Sequence, residues 1–304
     1  MKKYDIIIVG AGPAGLTAGI YAGRTSKKTL LLDKDMAGGV ARKVPLMENY
    51  PGFDIISGMV LIEKIRAQTL KNAEISELET INDIIKLDKD EYNFKIITGK
   101  EEYLTKAIIL ATGSKYKKLN IEGEKEFLGK GVSYCATCDG MFFKEKDVAI
   151  IGGGNSALQE AIYLNDLGCN VTIVHRRDKF RADKYLQEKI KELNINIIYN
   201  SIPLKIEGEN LLNSITLRDN KNKEFKLKVD GVFVAIGSTP QVELAKILNV
   251  SLDKNNYIIT DKNQKTNIEF VYSAGDVTGG VKQWIVASGE GAISAISAYN
   301  DLEI

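Results

Sequence analysis

Two stretches of this chain carry the same glycine-spaced device, and that repetition constrains the fold more than any other feature. Residues 5–24 read DIIIVGAGPAGLTAGIYAGR. An apolar run ends at Gly10, and G-x-G-x-x-G follows as Gly10, Gly12 and Gly15. A helix-compatible stretch continues to Arg24, and KTLLLDKD then supplies a second strand that ends at Asp33. This is a βαβ unit. Its glycines let the backbone approach a pyrophosphate, and the helix N-terminus favours negative charge. Residues 147–177, DVAIIGGGNSALQEAIYLNDLGCNVTIVHRR, repeat the device with Gly152, Gly154 and Ala157. A single copy also serves plain structural turns; two copies at matched spacing argue against that reading.

The matched positions carry opposite charge. Asp33 lies 23 positions after Gly10, and His175 lies 23 positions after Gly152. A carboxylate at the first strand end can accept from a ribose 2′-OH and would repel a 2′-phosphate. The second site has His175, Arg176 and Arg177 there, with Arg181 close behind, and guanidinium forks suit a phosphate dianion.

Each half continues into polar, alternating segments that read as a small β-meander: YNFKIITGKEEYLTKAIIL in the first and LNSITLRDNKNKEFKLKVDGVFVAI in the second. Each meander exits through an apolar strand and a glycine, ILATGS at 109–114 and VAIGSTP at 234–240. The polar stretches after these exits read as a pair of linkers. The expected fold is α/β, with two Rossmann-like dinucleotide-binding domains, the second inserted in the first. The first occupies 1–115 and 243–304, and the second 116–242. A third signal, VYSAGDVTGGVKQWIVASGEGAISA, puts Gly275 and Asp276 at a strand end before a small-residue helix starting near Lys282. The Asp can hold a sugar-alcohol hydroxyl, and the helix start can face an electron-rich carbonyl edge. The alternative is an Asp capping the following turn.

Composition excludes several classes. Lys and Arg total 41 against 40 Asp and Glu, so no strong field favours nucleic acid or membrane. No apolar stretch approaches bilayer length, and the N-terminal MKKYDIIIVGAG is broken by glycines where a signal peptide would continue. Three cysteines in 304 residues do not make a secreted disulfide framework, so a cytoplasmic location is expected.

Two of those cysteines stand in SYCATCDGMFF at 133–143. A closed zinc site needs four ligands, and the chain offers three cysteines and one histidine, with Cys169 and His175 elsewhere, so no metal is expected. A static disulfide between Cys135 and Cys138 closes too small a loop to stabilise much. A catalytic dithiol remains, since C-x-x-C thiols at a helix start or beside positive charge become acidic. Cys169, in GCNVTIV, reads as a small apolar core residue. Asp139 is either an N-cap before GMFF or an acid/base group beside the thiols.

At this point the chain resembles the low-molecular-weight thioredoxin reductases, flavoproteins with two dinucleotide-binding domains. The matching motifs run nearly end to end: GAGPAG, ENYPGF at 48–53, ATGS, CATCDG, GGGNSA, HRRDKFRA at 175–182 and AGDV at 274–277. The resemblance implies FAD in the first domain, NADPH in the inserted one, a homodimer, and thioredoxin or a thioredoxin-like protein as partner. It implies a flavin site from Gly10, Gly12, Pro13, Ala14, Gly15, Asp33, Lys34, Gly38, Gly39, Val40, Asn49, Ala111, Thr112, Gly113, Gly275, Asp276, Lys282, Gln283 and Trp284. It implies an NADPH site from Gly152, Gly154, Asn155, Ser156, Ala157, His175, Arg176, Arg177, Arg181, Ile236 and Gly237. Catalysis falls to Cys135, Cys138 and Asp139, with Cys138 facing the flavin, Cys135 attacking the partner disulfide, and Asp139 moving a proton. Because the dithiol and NADPH share one domain and one flavin, the inserted domain is expected to rotate on its linkers.

Two places depart from the family pattern. Gly38-Gly39-Val40 stands where Gly-Gly-Gln is common, and Lys282-Gln283-Trp284 where Arg-Gln and a small aliphatic are common. Certain relatives take electrons from ferredoxin, but those lack the Arg motif present here. A ferredoxin–NADP reductase type of flavoprotein would not need CATCDG. The reductase of a peroxide-scavenging system is expected to have an extra N-terminal redox domain, and a dinucleotide sensor would show no turnover.

Overall fold

Alternating side chains of the first strand supply two cores, one on each face of a sheet. The computed structural model describes residues 1–44, 47, 49–88 and 91–303, so Glu48 of the ENYPGF motif lies outside the described residues. The chain divides into two units, Met1–Lys115 with Thr239–Ile304, and Tyr116–Ser238.

The first unit opens with β1 (Lys2–Val9), α1 (Pro13–Arg24) and β2 (Thr29–Leu32), the predicted βαβ device. Pro13 occupies the start of α1, where its missing N–H costs nothing. α2 (Gly58–Thr69), β3 (Glu74–Ser76), β4 (Ile81–Lys86), β5 (Phe94–Thr98) and β6 (Glu102–Leu110) follow. The sheet order is β3-β2-β1-β6-β5-β4. β1 pairs in parallel with β2 and β6, and the meander strands β4 and β5 run antiparallel. β6 is long enough to serve both parts: Glu102–Thr105 pair with β5, while the strand pairs with β1 as far as Leu110. Ile6, Ile8, Leu31 and Ile109 face one core with the small residues of α1; Ile7, Val9, Leu30, Ile108 and Leu110 face the other.

The chain leaves this unit through β7 (Ser114–Tyr116). The second unit contains β8 (Val132–Ser133), α3 (Ala136–Asp139), β9 (Asp147–Gly152), α4 (Asn155–Asp166), β10 (Asn170–Val174), α5 (Lys184–Glu192) and β11 (Asn196–Ile198). β12 (Ser201–Gly208), β13 (Leu212–Asp219) and β14 (Glu224–Lys228) form the second meander, an antiparallel sheet of their own. β15 (Gly231–Ala235) returns to the parallel sheet, ordered β11-β10-β9-β15-β8. Ile150, Ile173 and Phe233 pack with α4 and α5 on one face; Ala149, Ile151, Val232 and Val234 pack with the meander on the other.

β16 (Ser238–Pro240) carries the chain back and pairs with β7. The boundary falls between Ser238 and Thr239, ahead of the expected 242/243. The reason is Gln241, whose backbone N–H donates to the Gly113 carbonyl and whose side chain donates to that of Thr112. α6 (Glu243–Ile247), β17 (Val271–Ser273) and α7 (Trp284–Leu302) complete the first unit, with β17 parallel to β6. α7 lies directly on α1: a Cβ at Gly291 would fall 2.1 Å from the Ala14 carbonyl oxygen, so only glycine permits that approach.

Candidate functional site

The dithiol sits where β8 turns into α3. Cys135 is the residue before the helix, and Ala136–Asp139 make its single turn. Cys135 and Cys138 are disulfide-bonded, with Cα atoms 5.3 Å apart. Ser133 fixes the neighbouring carboxyl: its Oγ donates to Asp139 Oδ2 at 2.6 Å and accepts from Cys135 N–H at 3.1 Å. Asp139 Oδ1 is buried with no partner among the described residues. Burial pushes the Asp139 carboxyl above its ordinary range, partly opposed by the Ser133 bond. Asp139 makes no side-chain capping bond to the 3₁₀ turn Gly140–Phe143, so the capping alternative is not realised. Cys169 is buried, and its thiol donates to the Phe143 carbonyl at 2.9 Å.

In the same unit the second glycine loop fits a dinucleotide. A Cβ at Gly152 would fall 2.5 Å from the Ala235 carbonyl oxygen, so that glycine serves close packing, whereas at Gly154 it would meet nothing within 4 Å among the described residues. Open space at the second glycine, before the N-terminus of α4, is what a pyrophosphate requires. Ala157 is buried against the strand, and Ser156 is exposed. Arg176, Arg177 and Arg181 are all exposed. Their loop is anchored to the glycine turn by Arg181 N–H donating to Gly153 O at 2.9 Å. Asn155 Nδ2 donates to Asp183 Oδ2 and Asn155 Oδ1 accepts from Asp183 N–H, at 2.8 and 2.9 Å. His175 plays an internal part: it is buried, its Nε2 lies 3.0 Å from the Lys179 carbonyl oxygen, and its ring fills the space beside Gly153. Ile236 and Gly237 are exposed and follow β15, with Gly237 at φ +94°.

The first unit builds its loop by the same rules. Gly10 has φ +101°, and a Cβ there would fall 2.3 Å from the Ala111 carbonyl oxygen. A Cβ at Gly15 would fall 1.8 Å from the Gly10 carbonyl oxygen, while at Gly12 it would meet nothing within 4 Å among the described residues. The three glycines thus divide tight turn, open approach and helix packing between them. Asp33 Oδ2 accepts from Ala11 N–H at 2.7 Å and Oδ1 from Asp35 N–H at 2.9 Å, so this carboxylate also braces the loop. Each oxygen keeps room for a further donor. Gly38 N–H donates to Ala11 O, which carries Gly39 beside Gly12, and Val40 is exposed. Asp276 accepts from Ser114 Oγ at 3.1 Å, and burial raises its carboxyl.

Around the start of α7, Lys282 Nζ donates to Tyr257 OH at 2.8 Å and Asn49 Nδ2 to Gln283 Oε1 at 3.1 Å. Trp284 meets the edge of Tyr50, with ring centroids 6.4 Å apart. Sequence reasoning missed three residues that shape these sites. Gln241 joins Lys34, Thr112 and Gly113; Glu290 accepts from Gly275 N–H at 2.7 Å; Ser133 holds Asp139. Only Ser133, within the quoted SYCATCDG run, had a local signal.

Two dinucleotide folds, one carrying a disulfide-bonded C-x-x-C beside a half-partnered carboxyl, define a nucleotide-dependent dithiol oxidoreductase. Residues 4–291 match the pyridine nucleotide-disulphide oxidoreductase family, and the chain belongs to it. It is 41% identical over 302 residues to a 34.2 kDa protein in the rubredoxin operon of Clostridium pasteurianum, covering 98% of this chain and 96% of the relative. It is 38% identical over 307 residues to the thioredoxin reductase of Bacillus subtilis, covering 99% and 96%. The solved thioredoxin reductase from Giardia duodenalis superposes with a TM-score of 0.92 at 33% identity, covering 100% of both chains.

Proposed function

We propose that this chain is a thioredoxin-disulfide reductase that passes electrons from NADPH through FAD and the Cys135–Cys138 pair to a thioredoxin-like protein. The observation that carries this reading is the disulfide at α3, with buried Asp139 beside it, in the unit whose glycine loop is flanked by three exposed arginines. FAD and NADPH are the cofactors of this family, and bound FAD supplies two-electron transfer between nicotinamide and disulfide. The first glycine loop, Asp33 and Asp276 would hold the FAD; the second loop and Arg176, Arg177 and Arg181 would hold the NADPH.

Once the pair is reduced, the Cys135 thiolate attacks one sulfur of the partner's disulfide. That S–S bond breaks, a mixed disulfide forms, and the other partner sulfur leaves as a thiolate that takes a proton. Cys138 then attacks Cys135, reforms the internal disulfide and releases the second partner sulfur. Asp139, held by Ser133 and raised by burial, is the group suited to donate and recover the proton. The inserted unit turns on β7 and β16, the two crossings of the chain. Exposed Ile285, Ile293 and Ile296 along α7 support a homodimer through the first unit. The cytoplasm, where thiols stay reduced, is the compartment that suits a working dithiol.

An anaerobic titration tests the reading. NADPH bleaches the flavin of the wild type and of the Cys135→Ser and Cys138→Ser variants, and neither variant turns thioredoxin over. Cys135→Ser leaves Cys138 as a lone thiolate and gives a long-wavelength charge-transfer band that Cys138→Ser lacks. Single-serine variants reducing thioredoxin at the wild-type rate would remove the dithiol from the path. Flavin that stays oxidised with NADPH but bleaches with reduced ferredoxin would reverse the donor, the alternative that Lys282 and Trp284 raise.

A further inference from the structure

A buried carboxylate that the reaction described above does not use lies in the first unit, just beyond β3. Glu79 is 3% exposed. Its Oε1 accepts from Thr98 Oγ1 at 2.6 Å and from Tyr103 OH at 2.8 Å, and its Oε2 accepts from Ser76 Oγ. Ser76 ends β3, while Thr98 and Tyr103 belong to β5 and β6. Hydroxyls from three strands thus converge on one side chain, and a carboxylate, with acceptors and no donor, can take all of them.

The backbone of the same residue reaches the nucleotide side of the sheet. Glu79 N–H donates to the Asp33 carbonyl at 2.8 Å, and Asp33 N–H donates to the Ser76 carbonyl at 3.0 Å. Leu78 N–H donates to the Asp35 carbonyl at 3.3 Å, and Leu78 sits at φ +54°, a left-handed conformation unusual for leucine. The main chain of Asp33 is therefore clasped on both sides by residues 76–79. Its carboxylate is then aimed by the Ala11 and Asp35 N–H groups. A hydrogen bond weakens steeply as its partners lose alignment, so a carboxylate that meets a ribose needs a fixed base. Glu77 ties the middle of this bend to Arg66 of α2 at 2.8 Å, so loss of the Glu79 anchor shifts the bend and leaves the strands in place.

We propose that Glu79 is a positioning residue for FAD: by anchoring the 76–79 bend to the meander it fixes the main chain of Asp33, and with it the carboxylate that accepts from the adenosine ribose.

The inference rests on the assignment of FAD to the first glycine loop, so its test reads cofactor affinity and not turnover. The full-length protein is stripped of flavin, and Kd is measured from the change in flavin fluorescence. The two ligands are FAD and FAD lacking the 2′-OH of its adenosine ribose. The wild type prefers FAD by about tenfold to a hundredfold, the worth of a hydrogen bond to a charged group. Glu79→Ala weakens FAD about tenfold or more and the deoxy ligand less than about threefold, so the preference collapses. Glu79→Gln keeps an oxygen for Thr98 and Tyr103 and retains most of the preference. Thr98→Val with Tyr103→Phe removes the two meander donors and loses it again, which decides the matter if Glu79→Ala does not fold. Both ligands weakened by the same factor would report packing alone and overturn the proposal, as would an unchanged FAD affinity. A wild type that binds the two ligands alike would remove the Asp33 contact and the proposal with it. A preference that follows Glu79 in a protein unable to reduce thioredoxin would instead count against the proposed function and leave Glu79 in place.

Discussion

His175 and the arginines beside it show how neighbouring residues in one motif divide their work. His175 is buried under Gly153, and its imidazole is held below its ordinary pKa, chiefly by burial. It is a strut, and the charge is left to exposed Arg176, Arg177 and Arg181. Guanidinium groups bond a 2′-phosphate through charge-assisted hydrogen bonds of about 1.5–3 kcal/mol each. Arg176→Ala with Arg177→Ala should therefore lower kcat/KM for NADPH by about two orders of magnitude or more and change NADH use little. Steady-state kinetics with both nucleotides checks this, and equal loss with both would remove the 2′-phosphate from the assignment.

At the scale of elements, the strand that leads into the dithiol is tied down by one buried carboxylate. Glu124 accepts from Leu119 N–H at 2.8 Å, Asn120 N–H at 2.7 Å and Tyr134 OH at 2.7 Å, and Tyr134 immediately precedes Cys135. Tyr134 also stacks on Tyr116 of β7, with centroids 5.4 Å apart. Glu124→Leu leaves three donors without an acceptor, at about 1–3 kcal/mol for each one kept from water. The expected result is a lower thermal midpoint for the inserted unit and faster hydrogen exchange at residues 119–120, while β9 and β10 keep their protection. Unchanged exchange at 119–120 would show that Glu124 does not hold this entry.

At the scale of the whole molecule, α7 presents two unlike faces. Its inner residues Ala287, Gly291, Ala295 and Ala298 are small and buried, and they settle the helix on α1. Ile285, Ile293 and Ile296 remain exposed in the structure, an apolar stripe that a second copy would cover. Sedimentation of the wild type should give a dimer, and Ile293→Glu with Ile296→Glu should give a monomer that keeps its flavin. A wild-type monomer at micromolar concentration would end the dimer reading.

The sequence by itself determined the two βαβ units and the dithiol. Those signals are local: a strand ending at glycines, a helix starting where backbone must stay open, and two cysteines one turn apart. The charge contrast between Asp33 and Arg176–Arg177 was equally legible, because strand ends in this device hold fixed positions relative to the loop. Tertiary structure decided what spacing could not encode. Gln241 moved the domain boundary because its bonds reach back to Thr112 and Gly113, more than a hundred residues earlier in the chain. His175 went inside because Gly153 leaves room for its ring, a fact of packing between a strand end and a loop. Glu124 had no motif to announce it. Its part depends on burial and on bringing two backbone N–H groups and the Tyr134 hydroxyl to one carboxylate, and these meet only in the folded unit.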